Sequence, residues 1–150
     1  MLRNMKLHKS ESGSGIVEFA LTMVLFMTVL FGIMDVGRAA YAYNFVSGAA
    51  RKGSRFAMVR GTNCSALTGG CPAQASDITN YVDSLASGID TSQLTVTAQC
   101  YATGTVTGTP PPCAPTTNIK VKVVYTFKFV TRLVPLSWNM QSVSERIVQN

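Results

Sequence analysis

One carboxylate stands inside the longest apolar run of this sequence. Glu18, in the stretch Gly13-Ser-Gly-Ile-Val-Glu18-Phe19, is the only charge between residues 16 and 34. An acid about one turn inside a membrane helix costs a few kcal/mol unless something neutralises it, so it is a functional group by default. A second reading stands beside this one: an acid near a helix N-terminus interacts well with the macrodipole, and within a turn of the interface it stays hydrated. The remaining reactive groups do not converge. Asp77, Asp83, Asp90 and Glu145 are scattered without metal-ligand spacing, and the only histidine is His8. Zinc would want two tight cysteine pairs, or cysteine with histidine, which Cys64, Cys71, Cys100 and Cys113 do not offer. The tract from Gly48 to Ser54 has a glycine spacing close to that of a phosphate-binding loop, but Ser54 and Arg55 stand where Lys then Ser or Thr is needed to reach phosphate and magnesium. The expectation is therefore no enzyme, no metal and no cofactor.

The element that must position Glu18 is a helix. At about 1.5 Å per residue the run 16–34 covers roughly the hydrocarbon thickness of a bilayer. Thr22, Thr28 and Gly32 fit it, since small and hydroxylated residues are tolerated in membrane helices and favour close helix contact. The preceding residues are polar and basic, with Arg3, Lys6 and Lys9 against Glu11. A secretory signal would close its apolar region with a small-residue cleavage site. Asp35-Val-Gly-Arg38 follows Met34 instead, so the helix is expected to be retained and any processing to occur before it.

A short basic leader, a glycine, and a helix with Glu at the fifth position after that glycine together resemble the prepilin signature of the type IV pilin superfamily. In its Flp, or tight-adherence, branch the motif runs Gly, cut, four residues, Glu, aromatic, and the stretch from Gly13 to Phe19 matches in register. With the Asp35-x-Gly-Arg38 exit and Ala49-Ala-Arg51, Gly53 and Arg55, roughly the first sixty residues are similar to TadE-like minor pilins. The resemblance implies that a prepilin peptidase cuts after Gly13 and frees the amine of Ser14. It implies that Glu18, with Phe19 beside it, engages such an amine as subunits enter a filament, and that the partners are other pilin subunits and an inner-membrane pilus assembly platform. Two further classes are weighed: a pseudopilin of a type II secretion machine, whose longer glycine-rich leader cut before Phe is not matched by Ser14, and an uncleaved signal-anchored domain binding a ligand outside.

Charge sets the orientation. The leader holds a net +2 of the chain's +6, which leaves little for a nucleic-acid surface, and none is expected. Counting Lys and Arg close to the helix favours the leader inside, over Arg38 and the more distant Arg51, Lys52 and Arg55. All four cysteines follow the helix, and an even number in a small exported domain suggests disulfides in an oxidising exterior. Four cysteines allow three pairings; the local one, Cys64 with Cys71 and Cys100 with Cys113, is the expectation. The protein is thus read as a single-pass inner-membrane protein, its N-terminus cytoplasmic and its C-terminal domain periplasmic or at the cell surface.

Beyond the membrane nothing decisively stops the helix before Arg60. Ala42, Phe45, Val46, Ala49, Gly53 and Phe56 recur at three- and four-residue steps, an apolar stripe expected to dock on the chain's own domain. A loop follows, then a short helix capped by Ser76, with Ile78, Val82 and Leu85 on one face, ending near Gly88. From Leu94 the period becomes two through Cys100, and again from Ile119 to Phe129, which predicts an antiparallel hairpin across a long loop at 103–118. Lys120, Lys122 and Lys128 share one face of the second strand, usually a solvated face. The stretch 133–138 reads as a turn and 140–148 as a last strand. The fold class is α+β: a leader at 1–13, a membrane-spanning helix continuing as a stalk at 14–60, and a small antiparallel sheet domain with one short helix at 61–150, stapled by disulfides.

Overall fold

A computed structural model of the chain describes residues 12–64, 71–102, 104, 107–130 and 137–149; residues 1–11 of the leader, the middle of the first cysteine loop and most of the turn read at 133–138 lie outside the described residues. The helix α1 runs without interruption over Ser12–Met58, about 70 Å at 1.5 Å per residue. Its glycines do not break it, because no proline removes a backbone donor and the second half is held by packing. A second helix, α2, spans Ala75–Ser84, and three strands follow: β1 at Leu94–Tyr101, β2 at Asn118–Lys128 and β3 at Ser137–Ile147.

The strands form one antiparallel sheet in the order β1-β2-β3, with Val96 opposite Val123 and Tyr125 opposite Met140. Residues two apart share a face. Ile119, Val121, Val123, Tyr125 and Phe127 of the central strand are therefore buried together, while Lys122 and Lys128 are exposed on the other face. Both helices cover the buried face, α1 lying across β2 and β3 and α2 over β1. The stalk stripe docks on this sheet: Ala42, Val46, Ala49 and Ala50 belong to the core, with Phe45 and Phe56 packed against it. Burying a valine- or isoleucine-sized side chain contributes about 1.5–3 kcal/mol, so the sheet and the upper half of α1 stabilise one another.

Three boundaries differ from the sequence reading. Ser76 does not cap α2; Gln74 precedes the first turn, and its N–H donates to the Asp77 carboxylate at 2.9 Å. An acid at the third helical position satisfies a free donor and complements the dipole, which a serine already inside the turn cannot do. The helix also ends at Ser84, short of Gly88, because Leu85 and Ala86 donate to Val82 and Asp83 in a tightened last turn. Finally, β3 begins at Ser137 rather than Met140, so Ser137 and Trp138 are strand residues paired with Lys128 and Phe127.

Candidate functional site

Gly13, Ser14, Glu18 and Phe19 occupy the first two turns of α1, all exposed. The Gly13–Ser14 bond stands at the very start of the helix. Glu18 follows Ser14 by four residues, and side chains at that spacing lie one above the other with Cβ atoms about 5–6 Å apart. Thr22 and Thr28 turn their hydroxyls back onto the Glu18 and Val24 carbonyls at 2.8 Å, which removes two polar groups from the apolar surface.

Above Glu18 the helix presents apolar side chains on every side. Leu21, Val24, Leu25, Phe26, Val29, Ile33 and Met34 are exposed, as are Ile16 and Val17 just below Glu18. Among the described residues this is the one helix long and apolar enough to cross a membrane. A surface this large and uniformly apolar is covered by lipid or by other helices.

The change of environment is abrupt at Asp35. Met34 is exposed, whereas Asp35 is only 4 % exposed, its Oδ1 accepting from the backbone N–H of Val130 at 3.3 Å and from Arg38 Nη1 at 3.4 Å. The end of β2 is thereby tied to the helix where the apolar run ends. Arg38 also lies over the Phe127 ring, 5.5 Å from its centroid. Higher up, Ser54 is fully buried, donates to the Arg51 carbonyl and shares a 2.9 Å hydrogen bond with the Ser144 hydroxyl of β3. Gly53 makes room beside it: an added Cβ would stand 3.2 Å from Val82 and 3.3 Å from Val121. At the top, Phe56 stacks on Tyr81 at 4.4 Å and carries Arg60 over its other face at 4.0 Å.

The cysteines pair as Cys64–Cys71 and Cys100–Cys113. The second pair is buried, and it closes the long loop onto the end of β1, where Thr109 exchanges backbone hydrogen bonds with Cys100. Two acids of the domain serve local structure. Asp77 serves the α2 terminus, and Asp90 accepts from the Ser92 N–H at 3.0 Å. The hydrogen bonds from Ser92, side chain first, hold the Asp90 carboxyl below its ordinary value, with a smaller pull from Lys128. Glu145 lies opposite Lys120 on the sheet, and Lys120 rests over the Tyr101 ring at 5.0 Å. Among the described residues no three His, Cys, Asp or Glu side chains gather where a metal ion could sit.

The structure thus places Gly13, Ser14, Glu18 and Phe19, the residues expected to serve processing and assembly, together at one end of α1 and the cysteines beyond its other end. Sequence reasoning missed the role of Asp35. The available signal was an acid at the last step of an apolar run with arginine three residues on, a spacing that makes a helical pair. Comparison with curated proteins and with solved structures finds no match. The model of the family described as TadE-like protein matches residues 13–55, from the first turn of α1 to Arg55 beside the Gly53 contact, so the membrane helix and stalk of this chain are similar to that family.

Proposed function

We propose that this chain is a minor pilin-type subunit of a Flp, or tight-adherence, pilus. In this reading a prepilin peptidase hydrolyses the Gly13–Ser14 bond, and the helix from Ser14 enters a filament among other pilin subunits with the help of an inner-membrane assembly platform. The observation that carries it is the placement of Glu18 one turn above Ser14, at the foot of a helix whose next sixteen residues are uncharged and apolar or small. In a bundle of such helices the carboxylate cannot stay hydrated. An amine within about 4–6 Å offsets the cost of burying it, and only one axial position of the incoming helix provides that amine. The ion pair then fixes register while the apolar faces supply adhesion between subunits. The exterior domain, folded on the stalk and stapled by disulfides, is what such a subunit would present at the filament surface or tip for attachment.

Intact mass and N-terminal sequence of membrane-extracted protein, expressed with and without a prepilin peptidase, test this directly. The expected result is a peptidase-dependent start at Ser14, abolished by Gly13→Arg. Glu18→Gln should still be cut but should enter filaments poorly. A chain that keeps its leader in the presence of an active peptidase refutes the proposal and favours a plain signal-anchored domain.

A further inference from the structure

The lower edge of the domain lies at a depth that the helix fixes. Asp35 is the first residue after the apolar run, and the Val130 amide bonds to its carboxylate at 3.3 Å, so Val130 sits close to that level. Trp138 pairs with Phe127 across β2 and β3, and the Phe127 ring lies beside Arg38, four residues above Met34. Four residues are about 6 Å of helix, and the headgroup layer of one leaflet is about 5–7 Å deep. Tyr41 is a turn higher, but helical side chains lean toward the N-terminus, which here is toward the membrane.

The residues at this edge have the composition of an interface. Trp138 is 62 % exposed and Val130 65 %, and the Tyr41 ring is half exposed while its hydroxyl donates to the Ser87 carbonyl at 2.8 Å. Trp138 shares the helix-facing side of the sheet with Phe127, because directly paired residues project to the same face. Yet it stays open where Phe127 is covered, since it lies on the edge strand. Beside the helix, at the same level, an open crevice of about 440 Å³ is lined by Met34, Arg38, Tyr41, Ala42, Tyr125 and Phe127. Tryptophan and tyrosine are enriched where an apolar body and a polar tip meet the headgroups.

We propose that this rim, Val130 and Trp138 on one side of α1 and Tyr41 with its crevice on the other, rests in the headgroup layer of the bilayer that α1 spans. The occupant is lipid rather than another protein because the rim is continuous with the membrane helix and the helix holds it at that depth. The contact is apolar and aromatic in character: Val130, Trp138 and Tyr41 carry no charge, and among the described residues Arg38 beside them is paired with Asp35. The domain thereby stands on the membrane through two attachments, and leaving the bilayer for any assembly exchanges the rim's lipid contacts for others. This rests on α1 spanning the membrane and is independent of cleavage at Gly13.

The chain has one tryptophan, so Trp138 reports on the rim directly. The full chain is reconstituted in phosphatidylcholine vesicles at high lipid excess, with bromines placed either just below the headgroup or near the acyl ends. The expected result is Trp138 emission to the blue of a hydrated indole, quenched more by the shallow bromines than by the deep ones, and unchanged by added anionic lipid. A second chain carrying Trp138→Phe and Leu25→Trp places the reporter at mid-membrane and should be quenched more by the deep bromines. If the Leu25 reporter is quenched while Trp138 emits as a hydrated indole that neither lipid quenches, the rim proposal is overturned and the spanning helix stands. If neither reporter is quenched, the membrane-helix reading itself fails. Trp138 that becomes shielded only as protein-to-lipid ratio rises, without bromine quenching, overturns the proposal in favour of contact between copies.

Discussion

Alanine at Gly53 sets helix propensity against packing, and the structure contains its own control. Both Gly48 and Gly53 lie inside α1, where exchange of glycine for alanine is worth about 0.5–1 kcal/mol from backbone entropy alone. At Gly48 nothing stands within 4 Å of an added Cβ, so Gly48→Ala should stabilise by that amount. At Gly53 the new methyl meets Val82 Cγ2 at 3.2 Å, Val121 Cγ1 at 3.3 Å and Ile78 Cγ2 at 3.9 Å. Those contacts cannot swing away: Val82 and Val121 are fully buried, and a helical β-branched side chain such as Val82 has one strongly preferred rotamer. Overpacking a filled core typically costs about 1–3 kcal/mol, so Gly53→Ala should fall between neutral and about 2 kcal/mol destabilising. The informative quantity is the gap between the two variants, because propensity cancels in it. About 1 kcal/mol moves the melting temperature of a domain of this size by roughly 4–8 °C. Thermal unfolding of the full chain in detergent micelles, followed by near-ultraviolet circular dichroism, should place Gly53→Ala at least about 4 °C below Gly48→Ala. Adding Val82→Ala should narrow that gap through a coupling energy between touching sites. Equal gains for the two alanines would show that the junction of α1, α2 and β2 has slack, and the packing argument would be wrong.

Two other perturbations read out separate ties. Asp35→Ala leaves the Val130 amide without this acceptor, a loss of about 1–3 kcal/mol in a site where the acid is buried. Hydrogen exchange at Val130 should accelerate several-fold or more, whereas Asp35→Asn, which keeps an acceptor oxygen, should change it less; unchanged exchange in the alanine variant would mean that the bond does not hold the sheet end. Removing Cys100–Cys113, as Cys100→Ser with Cys113→Ser, should cost about 3 kcal/mol by the loop-closure estimate plus the disturbance of a buried site, and more than removing Cys64–Cys71. Melting curves of the two double variants decide it, and equal losses would contradict the anchoring role given to the buried pair.

Local periodicity explains what could be read from the chain. The alternation from Ile119 to Phe127 sorts side chains to two faces at every step, so the central strand, its buried face and its hairpin partner are legible without coordinates. The stripe from Ala42 to Phe56 is legible for the same reason at helical period, and it docks on the chain's own sheet. What could not be read depends on partners far away in sequence. Ser137 and Trp138 look like turn residues beside Pro135, and only pairing with Lys128 and Phe127 makes them strand. Gln74 is no strong cap by type; the Asp77 carboxylate three residues later gives it its place. Asp35 reads as a polar exit residue until Val130, ninety-five residues later, is found donating to it.

One helix therefore serves two different solvents, and the division falls at a single residue. From Gly13 to Met34 α1 is exposed on nearly all sides, so changing an outward side chain there alters what the helix meets in lipid or in neighbours before it alters the fold of the domain. From Asp35 upward the same helix is one wall of the core, and a change at Ala42, Val46 or Gly53 acts on folding first. Asp35 couples the two regimes by fixing the height of the sheet on the helix. A rotation or slip of the domain by one turn would move Glu18 and the apolar run relative to the sheet end by about 5.4 Å, enough to take Val130 and Trp138 out of the headgroup layer. If the foot of the helix mediates assembly as proposed, that assembly and the posture of the domain above the membrane are tied through one buried carboxylate. Variants of Asp35 should accordingly disturb both Trp138 quenching and any Glu18-dependent assembly, whereas variants of Glu18 should disturb only the second.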